Sequence, residues 1–103
     1  MLDVANTILA QLGGGKFVIM TGAKDFIARP DSLTFKLPGG LTRDRGNRMT
    51  ITPTQDDTYK VQYGRARMRN LEVKYTKLAE LEDVYADNLR VVFEDLTGFR
   101  TSL

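Results

Sequence analysis

One hundred and three residues suit one domain and leave no room for a second. With 42% hydrophobic and 27% charged residues, and no apolar run longer than Phe17 to Met20, the composition is that of a soluble, cytoplasmic globule without a membrane-spanning helix. Cysteine and histidine are both absent from the chain, which excludes disulfides, thiolate and imidazole metal sites, cysteine nucleophiles and Ser-His-Asp triads. No catalytic residue, cofactor or metal site is expected, and binding is the expected role.

Asp3 is positioned to cap a first helix on which Val4, Ile8, Leu9 and Leu12 recur at helical spacing, and Gly13-Gly14-Gly15 ends it. The opening MLDVANTILAQLGGG carries an early acid and no basic region, so no signal peptide is expected. Lys16 to Thr21, KFVIMT, is a continuous run with β-branched and aromatic members and reads as a buried strand. Asp25 to Asp31 reads as a loop closed by the Arg29-Pro30-Asp31 turn. Ser32 to Leu37 then alternates as a half-buried strand with Leu33, Phe35 and Leu37 on one face. Arg48 to Thr52 offers another, with Met49 and Ile51 together, and Thr58 to Tyr63 a third, with Tyr59, Val61 and Tyr63 together; the two should pair antiparallel.

Gly64 to Asn70, GRARMRN, is either a turn or the end of a long, bent strand. Leu71, Val73 and Tyr75 alternate against Glu72, Lys74 and Thr76 and predict a fifth strand, ending near Ala79. The last helix is expected from near Asp83 to Thr97. Tyr85, Leu89, Val92, Phe93 and Leu96 share one side of it, and Gly98 follows as a left-handed cap. The fold class is therefore α+β over residues 1–103, in the order α-β-β-β-β-β-α: a mostly antiparallel five-stranded sheet with the N- and C-terminal helices packed on one face. The core should include Ile8, Leu12, Phe17, Ile19, Leu33, Phe35, Ile51, Val61, Val73, Leu89, Val92, Phe93 and Leu96.

The net charge of +2 is unevenly spread. Lys36 to Lys77 carries ten Lys or Arg against four acids, whereas Leu78 to Phe99 carries one Arg against six acids. Such a layout speaks to partners more than the total does. The Gly13-Gly14-Gly15-Lys16 run is glycine-rich and basic, but a phosphate loop needs strand, loop and helix in that order, with Ser or Thr after the lysine; here Phe17 follows. The arginines are more informative. Arg43, Arg45 and Arg48 fall on a loop and a strand start, and Arg65, Arg67 and Arg69, spaced by two on an extended stretch, share a face. Brought to one end of the sheet they would form a basic surface interleaved with Tyr59 and Tyr63 and suited to phosphates. The alternative is a solvated face paired locally with Asp44, Asp56, Asp57 and Glu72. Among the acids, Glu80, Glu82, Asp83 and Asp87 fall at or before the helix start and complement its dipole. Glu94 and Asp95 oppose it at the far end. Asp87 and Glu94 thus join the arginines as candidate partner-binding residues.

The run ANTILAQLGGGKFVIMTGAKDF, the later SLTFKLP, the DTYKVQYG strand and the closing VYADNLRVVFEDLTGFRTSL together resemble a family of small proteins carried by phages and other mobile elements. The resemblance covers nearly the whole length and carries over no catalytic residue. It implies a small, phage-encoded, non-enzymatic protein-binding module acting in the host cytoplasm on a host protein or nucleoprotein complex, of the kind that inhibits host defence, anti-CRISPR proteins among them. The alternative is a nucleic-acid-binding protein that uses the arginine-rich sheet face and loop without base specificity.

Overall fold

In a computed structural model of the chain, the structure describes residues 2–40 and 42–99, without the side chains of Leu2, Asp3 and Arg43. The expected Asp3 cap therefore lies outside the described side chains. Two helices come first, α1 (Leu2–Leu12) and α2 (Gly14–Thr21). Five strands follow: β1 (Lys24–Arg29), β2 (Ser32–Lys36), β3 (Arg48–Pro53), β4 (Tyr59–Arg69) and β5 (Glu72–Val84). A 3-10 turn at Arg43–Arg45 interrupts the β2–β3 connection, and another at Ala86–Asn88 leads into α3 (Leu89–Thr97). The strands form an antiparallel meander in the order β1-β2-β3-β4-β5. The α+β class holds, with one helix more than the sequence reading gave.

The buried face follows from strand alternation. Leu33 pairs with Ile51 and Phe35 with Met49, and these continue to Val61 and Tyr63 on β4, so one face of the sheet is apolar across three strands. Ala5, Ile8, Leu12, Phe17, Leu89 and Phe93 from the helices join the same core, which puts the helical layer on that face. Aromatic rings tie the layers together: Phe17 meets Phe93 edge-on at 4.9 Å between centroids and Phe35 at 5.5 Å. The opposite face is polar and half-buried, with the Thr34 and Thr50 hydroxyls 2.9 Å apart.

Two expectations exchange places at the start of the chain. KFVIMT is helix rather than strand, and the segment read as a loop is edge strand β1. Apolar residues along KFVIMT do not share an environment: Phe17 and Thr21, one helical turn apart, are buried, and Ile19 is 83% exposed, so it leaves the expected core. Thr21 donates to the Phe17 carbonyl at 2.7 Å, and Gly22, at φ 72, closes the helix by donating to Val18. The same device ends α3, where Thr97 donates to Phe93 at 2.8 Å and Gly98, at φ 82, donates to Glu94.

The last helix begins at Leu89, later than expected, because β5 runs on to Val84 past a bulge at Asp83, whose φ is 58. Tyr85 is consequently 60% exposed rather than part of the buried stripe, of which Leu89 and Phe93 are buried and Val92 and Leu96 partly so. Glu80, Glu82 and Asp83, expected at or before the helix start, lie on β5.

Candidate basic ribbon

GRARMRN is the end of a long strand. β4 pairs with β3 only as far as Gly64, yet its pairing with β5 continues from Arg65 opposite Thr76 to Arg69 opposite Glu72. The last rungs thus leave the sheet as a two-stranded ribbon, closed by a two-residue turn at Asn70 and Leu71. Leu71 belongs to that turn, not to the fifth strand as expected. Val73 alternates as predicted but has no helix over it; at 63% exposure it is not core.

The base of the ribbon is fixed from the β2–β3 connection. Asn47 donates through Nδ2 to the Ala66 carbonyl at 2.9 Å and accepts the Ala66 N–H on Oδ1 at 2.8 Å, so one carboxamide supplies the rung that β3 is too short to make. One residue earlier, Gly46 lies so close to the buried Tyr63 ring that a Cβ there would overlap it. Thr42 donates to the Gly46 carbonyl and holds this approach.

Alternation divides the ribbon into two unlike faces. Arg65, Arg67 and Arg69 on β4 share a face with Glu72, Lys74 and Thr76 on β5, and a shallow hollow of about 510 Å³ there is lined by the three arginines, Lys74, Thr76 and Met68. Among the described residues, none of these four cations has a carboxylate within ion-pair distance. The other face carries Met68, Val73 and Tyr75, with the Tyr75 ring lying across Gly64. Burial, with a smaller contribution from the charge of Glu80, raises the pKa of the Tyr75 hydroxyl.

The remaining predicted site residues are not all gathered here. Arg45 is exposed on the 3-10 turn whose loop seats on Tyr63, the residue two before Arg65 on the same face; the side chain of Arg43 is outside the described ones. Arg48 points to the opposite face, where a hollow of about 150 Å³ lies between Lys24, Lys36, Leu37, Asn47 and Arg48. The six arginines therefore do not form one surface. Tyr59 and Tyr63, expected between them, are core residues, and the Tyr59 hydroxyl donates to Gln11 at 2.6 Å.

The acids are dispersed. Glu80 accepts from Gln62 at 2.9 Å and lies 3.6 Å from Lys60 and 3.5 Å from Lys77. Desolvation alone would raise its pKa, but that hydrogen bond and the two ammonium charges outweigh it and lower the pKa from the ordinary glutamate value. Asp87 is exposed in the 3-10 turn before α3, and Glu94, half-buried on α3, makes interactions within the fold. Among the described residues no group of acids is arranged to hold a metal ion, and no helix is long and apolar enough to cross a membrane. Compared with protein-family models, with curated proteins and with solved structures, the chain finds no match.

Proposed function

We propose that this chain is a non-enzymatic nucleic-acid-binding module whose contact element is the ribbon of β4 and β5. One observation carries the reading: Arg65, Arg67, Arg69 and Lys74 converge on one face with no carboxylate paired to them among the described residues. Lys36 pairs with Asp25, and Lys60 and Lys77 with Glu80, whereas the ribbon brings four cations onto one face without such a partner among the described residues. Four neighbouring cations left unpaired repel one another, and a polyanion relieves that repulsion while releasing its own condensed counterions. Guanidinium forks at every second residue also suit phosphate oxygens geometrically.

The test is the salt dependence of binding to a short DNA duplex, read by fluorescence anisotropy. Affinity should fall steeply with salt, and replacing Arg67 and Arg69 by Ala should flatten the log–log slope by about 2 if each contacts one phosphate, with unchanged melting temperature. A salt-independent affinity, or a slope indifferent to both substitutions, would contradict the reading.

A second reading is favoured by the other face of the ribbon, where Met68, Val73 and Tyr75 are 72, 63 and 52% exposed. Large apolar side chains left in water beside a basic face suit a host nucleoprotein complex, contacted through protein and nucleic acid together, as expected of a phage-encoded inhibitor of host defence such as an anti-CRISPR protein. Val73→Thr should then reduce retention of that complex while leaving oligonucleotide affinity unchanged.

A further inference from the structure

We propose that the ribbon tip, Asn70 and Leu71, enters the major groove of duplex DNA and reads A·T base pairs there, Leu71 against the thymine methyl and Asn70 against the adenine edge. The proposal rests on the nucleic-acid-binding reading and adds base readout to it.

Three features of the tip carry it. Leu71 is 94% exposed, more than any other large apolar residue described. It also holds a left-handed backbone, with φ 67 following φ 51 at Asn70, so the turn is of the primed type whose second central position favours glycine. A leucine there strains the turn and buries nothing, and folding gives no account of it; a contact made by its side chain with a ligand does. Finally, the ribbon has the reach. Residues 67–70 extend past the Asn47 rung, which at about 3.3 Å per residue is about 13 Å. The major groove is about 8.5 Å deep and about 12 Å wide, which admits a two-stranded ribbon, whereas the minor groove is about half as wide. In the major groove, asparagine matches the N7 acceptor and N6 donor of adenine, and an apolar side chain matches the methyl that distinguishes thymine. The arginines and Lys74 on the flank would meet phosphates as the tip enters.

The experiment compares a duplex of alternating dA and dT with the same duplex carrying dU in place of every dT, which removes only the methyl groups. The wild-type protein is expected to bind the thymine duplex more tightly, by about fourfold per methyl contacted, the equivalent of about 0.8 kcal/mol. Leu71→Gly suits the turn, so its melting temperature should match or exceed that of the wild type. It should lose the thymine preference and keep the salt-dependent phosphate binding. Asn70→Gly should narrow the preference for the dA·dT duplex over a dG·dC duplex. Equal wild-type binding to the thymine and uracil duplexes, or a preference that survives in Leu71→Gly, would overturn base readout while leaving phosphate binding standing. Equal or tighter binding to duplex RNA, whose deep, narrow major groove excludes the ribbon, would overturn it as well. No binding to any duplex would overturn both this proposal and the reading it rests on.

Discussion

Asn47 does with its side chain what a longer β3 would do with its backbone. Its carboxamide satisfies both polar groups of Ala66, at the point where β4 loses its neighbour. Replacement by Ala would leave a half-buried N–H and carbonyl without partners, at a cost of about 1 to 3 kcal/mol. The Ala66 amide should then exchange with solvent markedly faster, and wild-type exchange in Asn47→Ala would count against this role. Nothing in the sequence marks Asn47, since its partner is 19 residues away and belongs to no periodic pattern. Leu71 was hidden for the opposite reason. It keeps the alternation of Val73 and Tyr75, so a pattern built to find strands absorbs a turn residue, and only the backbone angle separates them.

At the scale of elements, the misread segment KFVIMT carried a usable signal. Phe17, Thr21 and Gly22 repeat the spacing of Phe93, Thr97 and Gly98, and both triplets end a helix with the same threonine-to-carbonyl bond and left-handed glycine. The second was legible because amphipathic residues precede it; in the first, β-branched residues outweighed the cap, and packing of Phe17 on Phe35 and Phe93 decided for helix. The distinction is measurable by chemical denaturation. Ile19→Lys should change stability by less than about 0.5 kcal/mol, as an exposed helical position does, and a large loss there would restore the buried strand. Phe93→Ala, at the meeting of three rings, should cost about 3 to 5 kcal/mol. The strands β2 and β3 and the inner part of β4 were legible for a simple reason: each has one covered face and so keeps strict alternation, burying Leu33, Phe35, Met49, Ile51, Val61 and Tyr63.

For the whole molecule, the informative feature is where two strands outrun the sheet. The same alternation that buries Tyr59, Val61 and Tyr63 continues through Arg65, Arg67 and Arg69, so what lies under the helical layer as core becomes, past its edge, a basic surface. Spacing alone revealed that these three arginines share a face. It could not reveal that β3 stops at the base of the ribbon, that Arg48 points to the other side, or that Glu80 lies on β5 between Lys60 and Lys77. On the proposed reading, binding belongs to this ribbon and the loop that braces its base. Amide chemical-shift mapping during titration with a short DNA duplex tests it most directly. Shifts should be confined to residues 64–77 and the adjoining loop at Arg45 and Asn47, growing with occupancy and reversed by salt. Shifts centred on Asp87 and Glu94, or on the outer-face hollow of Lys24, Lys36 and Arg48 with the ribbon unmoved, would contradict it.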